Sequence, residues 1–495
     1  MTGSALRRYR RLGQGAGARI AVAATGAVLV VAALGAALGT AAFARAQGPT
    51  AASASVEIGQ PTEPAVLRLT DFVRRARATY PGLEAASHRG AAAEARLDEA
   101  IYSPFFQFSA NAAAGLAPQV TGSPIYSRDS QLPVSNPWEP VLAVGIEGVV
   151  PLWTFGKLSS ARDAARAGVK AAKQNVALTE QRVVYDVRRA YFGVQMALDI
   201  LQMLDEGEGK LETAEKKLSE KLLTGDADVS PQDKYRLATS LAELRGRRAE
   251  AQKLENSARD ALRMLTGVDA FEVPECPLAE VPFESGPVTK FEVRASKQRP
   301  ELGMLEAGLR ARKAQANVID AQYLPDIALG LAASYSYAPG ITDQTNPFIV
   351  DRANYQSIQA GLVARWNLDI VGNLQRETRA DEELLETKSL QKEAKKAIEL
   401  DVRTTYNDVT EARARMAAYA VGHKEARAWF VSAAQGYQVG TADPKDLIDA
   451  VKAYFTARFS HLQAIFDFNV AVAKLEKATA SEILSPGSWE LSCGE

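Results

Sequence analysis

Residues 324–337 read LPDIALGLAASYSY, and their side chains alternate between apolar and small or polar. In an extended strand every second side chain points to the same face, so this run predicts a β-strand with one apolar face. The apolar set is Ile327, Leu329, Leu331, Ala333, Tyr335 and Tyr337, and the other set is Asp326, Ala328, Gly330, Ala332, Ser334 and Ser336. A strand of this length, with aromatic residues near its end, is typical of a transmembrane β-barrel.

The same alternation occurs in three other runs. One follows at residues 356–368, and two lie in the first half of the chain, at about 104–115 and 141–152. Trp153 and Trp366 stand near strand ends, where aromatic residues mark membrane interfaces. An ordinary half-buried antiparallel sheet has the same pattern over shorter runs, so that alternative stays open.

The number of strands indicates how the chain assembles. Four strands cannot close a barrel, because open edges are not tolerated in lipid and single-chain barrels begin at about eight strands. Two chains give about eight strands and a filled interior, whereas three give about twelve and a lumen. The sequence therefore predicts a homotrimer in contact with membrane lipid. The loops at residues 117–140 and 338–355 are rich in turn-forming residues and are expected to face outside.

The chain is internally duplicated. Residues 186–191 (DVRRAY) recur as residues 401–406 (DVRTTY), and Gly225 and Gly440 share the same offset, 401 − 186 = 440 − 225 = 215. The segment between the repeated motif and the glycine therefore has the same length in both halves, which implies matching helices. The predicted divisions are a first repeat at 65–267, a linker at 268–288, a second repeat at 289–480 and a tail at 481–495.

Each strand pair precedes a long region in which apolar residues alternate at spacings of four and three, as in a coiled coil. The first seam is Val183, Val187, Ala190, Val194, Ala197, Leu201, Leu204, Leu211, Ala214 and Leu218, and the second runs from Ile398 through Val402, Thr405, Val409, Ala412, Met416, Tyr419, His423, Ala426, Phe430 and Ala433 to Tyr437. Long helices are predicted at about 156–267 and 372–480, each region broken by one tight turn. A continuous helix from residue 156 to 225 would be about 100 Å long, enough to bridge a periplasm.

The N-terminus resembles an export signal. Basic residues precede an uncharged run from Ile20 to Phe43, and Ala44 and Ala46 form a small-residue cleavage site, so residues 1–46 are predicted to be a signal peptide. The run is also long enough to be a retained membrane anchor. In an exported protein Cys276 and Cys493 can form a disulfide, although two unpaired thiols remain the alternative.

The composition excludes several functions. The chain has 495 residues and a net charge of −1, so no nucleic-acid partner is expected. It has three histidines and two cysteines without zinc-like spacing, so no metal site is expected. No nucleophile elbow, phosphate-binding glycine loop or histidine–carboxylate motif is present, and we expect no catalytic residues and no cofactor.

The order of these segments resembles the TolC-like outer-membrane efflux proteins over nearly the whole mature chain. The most specific resemblance is residues 436–441 (GYQVGT) followed by 446–450 (DLIDA), which is similar to the family's motif at the periplasmic entrance. Residues 299–302 (RPEL), 323–325 (YLP) and 366–368 (WNL) are also similar to family segments. The resemblance implies a mainly helical fold with four strands per chain, in which a trimeric twelve-stranded transmembrane β-barrel continues into a long coiled-coil helical tunnel.

The resemblance also implies a function and a set of site residues. The protein would be a passive exit duct through the outer membrane of a Gram-negative bacterium, for efflux or type I secretion, and would work with a periplasmic adaptor and an inner-membrane pump. Asp446, Asp449 and Tyr437 would form the periplasmic entrance constriction. The hairpin tips would dock the adaptor, through Gly225 and Asp233 in the first repeat and Gly440 and Thr441 in the second. Ala442 replaces the arginine that the family typically has after its Gly-Thr, so the entrance latch is in doubt.

The alternative function is a periplasmic adaptor or scaffold anchored by residues 20–43. An adaptor is expected to have one coiled-coil hairpin, whereas this sequence predicts two, each preceded by a strand pair. The conduit is therefore the favoured prediction.

Overall fold

The computed structural model describes residues 65–120, 135–223, 230–343, 348, 350–439 and 444–490. Contacts divide the chain into two units, residues 1–63 and 64–495, and the described residues all belong to the second. The predicted signal peptide lies outside the described residues.

The helices follow the same order in both halves of the chain. In the first half they are α1 (Leu69–Thr79), α2 (Pro81–Tyr102), α3 (Lys157–Leu223) and α4 (Pro231–Thr266), and in the second half α5 (Val288–Gln298), α6 (Pro300–Asp320), α7 (Ile370–Gln438) and α8 (Pro444–Thr479). The 67 residues of α3 and the 69 of α7 correspond to rods of about 100 Å. Among the described residues, no helix combines the length and the apolar character needed to cross a membrane.

The strands form two sheets. β1 (Ala65–Val66) and β4 (Phe271–Glu272) make a short parallel pair. The main sheet contains β2 (Gln107–Pro118), β3 (Trp138–Trp153), β5 (Asp326–Tyr337) and β6 (Tyr355–Arg365), in the order β2-β3-β5-β6 with antiparallel neighbours. The two strand pairs, one from each half, therefore join through β3 and β5.

Two strand ends differ from the sequence prediction. Ser103–Phe105 forms a 3₁₀ turn, so β2 begins at Gln107 and not near residue 104. β6 ends at Arg365, three residues before the predicted end. Beyond that point the Trp366 indole donates to the Tyr323 carbonyl at 3.0 Å, and this contact ties the strand end to the start of β5.

The register places the predicted apolar residues of all four strands on one face. Ile146 lies opposite Ala110 on one side and Ala333 on the other, and Ala333 lies opposite Ile358. Directly opposed residues in an antiparallel pair share a face of the sheet. The next row contains Ser109, Glu147, Ala332 and Gln359, all from the small or polar set. The sheet thus has one apolar face and one small or polar face.

The coiled-coil seam is buried along α3. Its members Val187, Val194 and Ala197 have no exposed area, because α3 packs against α2, α4, α6 and α8. On α7 the seam is buried as far as Met416, and Tyr419 is exposed. The seam of α7 is thus less completely covered within one chain than the seam of α3.

The segment between the repeats, residues 273–287, lies against the long helices, and we call it the strap. Leu278 donates its backbone N–H to Asp199 on α3 at 2.7 Å, and Val281 donates to the Asn469 side chain on α8 at 2.9 Å. Asn469 is fully buried and also donates to the Ala279 carbonyl. These bonds satisfy backbone groups that no sheet or helix pairs, and they fix the strap between the two halves.

Candidate functional site

The predicted entrance residues lie at the end of the α7–α8 hairpin. Asp446 and Asp449 are in the first two turns of α8, three residues apart, and both are exposed. The opposite face of this segment packs inward, with Ala450 and Val451 buried. Tyr437 is in the last turn of α7 and is half-buried. The helix therefore presents two carboxylates on one face while its other face fixes it to the hairpin.

The sequence explains why α8 begins where it does. Pro444 is its first residue, a position that proline favours because it has no N–H to donate, and Asp446 suits the positive end of the helix dipole. A structural role for Asp446 therefore coexists with the predicted pore role. Gly440 and Thr441 lie outside the described residues, so their predicted contact with an adaptor stays a prediction.

The end of the α3–α4 hairpin is built differently. Asp233 is the third residue of α4 and is mostly buried, and its carboxylate accepts hydrogen bonds from the Ser230 backbone N–H at 3.1 Å and hydroxyl at 2.8 Å. This is a capping box, which satisfies the free N–H groups at the helix start. Gly225 lies outside the described residues. The docking role predicted for Asp233 and Gly225 stays a prediction.

Ion pairs join α3 and α4 along the first hairpin. Arg245 contacts Glu208 at 2.7 Å and Glu212 at 3.2 Å, and Arg248 contacts Glu208 at 3.2 Å and Asp205 at 2.7 Å. The hydrogen bond from Arg245 lowers the pKa of the Glu208 carboxyl. These exposed pairs each contribute little stability but set the relative positions of the two helices.

The junction between sheet and helices uses residues from the family-like segments. Lys157, the first residue of α3, donates to the Leu324 carbonyl at 2.9 Å and pairs with Asp326 at 2.7 Å. Gly156 has a φ of +95°, which allows β3 to turn sharply into α3. Asp369 accepts a hydrogen bond from the Gly372 N–H at 3.0 Å and caps α7. The first rod is thereby fixed to the second strand pair, and the second rod is capped where it begins.

A buried cluster that the sequence prediction missed secures the C-terminal tail. Arg188 on α3 pairs with Glu476 on α8 at 2.6 Å, and its guanidinium lies 3.9 Å from the centre of the buried Trp489 ring. Glu476 also accepts a hydrogen bond from the Ile483 N–H at 3.1 Å. Burial lowers the pKa of Arg188, and Glu476 opposes this change. Heptad spacing gave no signal for this cluster, because Arg188 directly follows the seam residue Val187 and a residue next to the seam points away from it.

Within the described ranges, no group of three or more His, Cys, Asp or Glu side chains is arranged to hold a metal ion. Cys276 is buried in the strap and is not a free thiol. Cys493 lies outside the described residues, so the pairing of these two cysteines stays a prediction.

Comparison with known proteins decides the family. The model of the outer membrane efflux protein family matches residues 73–267 and 293–481, which is more than three quarters of the chain. The chain belongs to the outer membrane efflux protein family. The two matched segments are the two halves of the duplicated fold. No curated protein matches the chain in sequence.

Solved outer-membrane proteins have the same fold as this efflux protein. The Campylobacter jejuni CmeC channel is 16% identical with a TM-score of 0.68, and the match covers 83% of this chain and 85% of CmeC. The open state of Neisseria gonorrhoeae MtrE is 15% identical with a TM-score of 0.67, over 84% and 89% of the two chains. Vibrio cholerae VceC is 15% identical with a TM-score of 0.66, over 84% and 97%.

The family match establishes the general function. The protein is an efflux channel of the outer membrane of a Gram-negative bacterium, with a large periplasmic portion. The predicted family and location are confirmed, and so is the mainly helical fold with its few strands.

Proposed function

We propose that three copies of this chain close a twelve-stranded barrel and a helical tunnel that together form a passive exit duct. The single observation that carries this proposal is the main sheet. It has an apolar face made by all four strands, and its outer strands β2 and β6 have open edges. In lipid an open edge leaves backbone groups unsatisfied, and pairing β2 of one copy with β6 of the next removes every edge.

Exposed apolar side chains support the same assembly. Ile358 on β6 is 90% exposed in a single chain. On α7, Val371, Leu374, Leu385 and Leu400 are all at least half exposed, and at 3.6 residues per turn they share one face. A stripe of this kind on a long helix is expected to pack against another helix. We infer that neighbouring copies cover it in the tunnel wall.

The entrance lies at the other end of the molecule. We infer that Asp446 and Asp449 from three copies form a ring of up to six carboxylates at the tunnel mouth, with Tyr437 beside them. Such a ring favours cations and opposes tight closure by mutual repulsion. A periplasmic adaptor would dock on the hairpin ends, and an inner-membrane pump would supply the energy. The duct itself breaks no bond.

Membrane fractionation and mass measurement test the assembly. The full-length chain is expressed in a Gram-negative host, the membranes are separated on a density gradient, and the detergent-solubilised protein is measured by light scattering. We expect recovery in the outer membrane and a protein mass three times that of the mature chain. Recovery in the inner membrane would support the adaptor alternative. A detergent-free, soluble monomer with its sheet intact would refute the barrel.

A further inference from the structure

Two of the three histidines meet where α7 packs against α8. The rings of His423 on α7 and His461 on α8 have centroids 5.5 Å apart and planes inclined by 33°. His423 also contacts Tyr454 at 5.6 Å, and Tyr454 stacks on Phe430 at 5.4 Å. The four rings thus alternate between the two helices, and on each helix they are one heptad apart, 430 − 423 = 461 − 454 = 7. The histidines therefore occupy seam positions that an apolar residue would ordinarily fill.

The surroundings of His423 are cationic. Arg427 on α7 and Arg458 on α8 both act on its ring and lower its pKa, after the larger effect of burial. Among the described residues, the buried Nε2 atom of His423 has no hydrogen-bond partner. A protonated imidazole donates from both nitrogens, so protonation would place a donor there without an acceptor.

The strap and α3 provide the nearby carboxylates. Glu280 in the strap faces His461 and raises its pKa slightly, but burial dominates and the pKa of His461 is lowered. Glu206 on α3 pairs with Arg458 at 3.1 Å, so its charge is already engaged. Asp199 on α3 accepts the strap's Leu278 N–H and also acts on Arg458. The carboxylate that acts on the pair is therefore Glu280, and it faces His461 and not His423.

We propose that His423 and His461 form a proton-sensitive contact that holds α7 and α8 together at neutral pH and weakens their packing at acidic pH. Two neutral imidazoles stack favourably, but two imidazolium ions at this separation repel each other, and Arg427 and Arg458 add to the repulsion. The consequence for transport rests on the proposed function, in which this hairpin carries the entrance carboxylates.

The direction of the pH effect follows from linkage. Because burial holds both pKa values below the ordinary 6.5, the packed hairpin binds fewer protons than the separated helices. Acidification therefore stabilises the separated form. This stabilisation begins as the pH falls below 6.5, and it stops increasing once the histidines of the packed form are also protonated. With two protons, the equilibrium shifts by at most about a hundredfold for each pH unit.

Hydrogen exchange of the full-length protein in detergent tests the proposal. Exchange is measured at pH 7.5 and 5.5, with correction for the intrinsic rate, in peptides covering residues 415–430 and 454–466. We expect opening in these peptides to increase by about ten- to a hundredfold at the lower pH. The double variant His423→Phe/His461→Phe keeps the stacked rings without protonation, and should lose the increase.

Two further variants make the test decisive. His88 lies on α2 beside Glu84 and is exposed, so His88→Gln removes a histidine without touching the hairpin and should keep the wild-type response. If the double phenylalanine variant does not assemble, the single variants His423→Gln and His461→Gln should each reduce the response. An increase that persists in the protonation-deficient variants, or no increase in the wild type, overturns the proposal.

A conductance measurement distinguishes a failure of this inference from a failure of the proposed function. The conductance of the open channel is recorded in planar bilayers at both pH values for the same proteins. We expect it to rise at pH 5.5 in the wild type and not in the variants that lack the two histidines. If exchange responds through the histidines and conductance does not, the histidine contact stands and its proposed effect on the entrance falls.

Discussion

Asp233 and Asp446 hold the same position in the two repeats and differ in what their carboxylates do. Each is the third residue of the second helix of its hairpin, after a proline at the first position. Asp233 is mostly buried and accepts two hydrogen bonds from Ser230, whereas Asp446 is exposed. A carboxylate engaged in a cap is not free to meet ions, so the second repeat offers the better candidate for the entrance.

The entrance assignment predicts a change in cation block. Asp446→Asn with Asp449→Asn removes up to six negative charges from the trimer while preserving side-chain size. We expect block of reconstituted channels by divalent or trivalent cations to weaken about tenfold, which corresponds to about 1.4 kcal/mol. The control is Asp98→Asn, which removes an exposed carboxylate from α2. Unchanged block in the double variant would show that these residues do not line the narrowest point.

The buried pair between Arg188 and Glu476 predicts a large effect on stability. Arg188→Ala leaves the Glu476 carboxylate buried without its partner, and the expected loss in the free energy of unfolding is about 3–5 kcal/mol. Arg74→Ala is the matched control, because Arg74 pairs with Asp71 while 78% exposed, and the expected loss is below about 1 kcal/mol. Denaturant unfolding in detergent measures both, and equal losses would contradict the argument.

At the scale of elements, alternation within single strands produces an apolar sheet face only when the register aligns the apolar sets of neighbouring strands. Ile358 and Gln359 are neighbours on β6, but Ile358 continues the apolar row through Ala333 and Ile146, and Gln359 continues the polar row through Ala332 and Glu147. A shift of one residue in the pairing would place the apolar set of one strand beside the polar set of its neighbour. The observed register keeps both faces uniform across strands that come from different halves of the chain.

The apolar row and the polar row are expected to differ in whether they tolerate a charged substitution. Ile358→Arg places a cation on the face assigned to lipid in each of three copies, at about 2–4 kcal/mol per copy near the bilayer centre. We expect loss of the trimer from the outer membrane, read by fractionation. Gln359→Arg carries the same change one residue away, on the face assigned to the lumen, and should assemble normally. Assembly of both variants would argue that the apolar face does not contact lipid.

At the scale of the whole molecule, the two halves repeat in sequence but are not equivalent in packing. α3 is covered along its length by other helices of the same chain, while α7 leaves an apolar stripe exposed. The strap and the tail make the two halves less alike. The strap bonds to α3 and α8, and the tail bonds to α8. Duplication therefore supplies the framework, and the apolar stripe on α7 is a surface that neighbouring copies would cover in the proposed assembly.

A disulfide between strap and tail is the prediction that concerns the whole chain. If Cys276 and Cys493 pair, the bond closes a loop of 493 − 276 = 217 residues, which by chain entropy stabilises the fold by about 5 kcal/mol. We expect no free thiols in the native exported protein, and a lower melting temperature for Cys276→Ser, for Cys493→Ser and for the reduced wild type. Two titratable thiols per chain in native protein would refute the pairing.

The sequence by itself determined the periodic features of this protein. Alternation gave four strands with one apolar face each, heptad spacing gave two long rods, and the 215-residue offset gave the duplication. The strand and rod predictions succeed because a side chain's direction in a strand or helix follows from its position along the chain. The entrance role of Asp446 and Asp449 came from the resemblance to the family and stays a prediction, while their three-residue spacing places both on one face of a helix.

Only the tertiary structure decided which residues meet across long separations. Arg188 with Glu476 and Trp489, Asp199 with the strap, and His423 with His461 each join segments that no local pattern connects. Heptad spacing placed His423 on the seam, but its contact with a second histidine depends on how α7 and α8 align. Such contacts arise from the relative position of whole elements, which depends on the packing of all their faces at once and not on the spacing within any one of them.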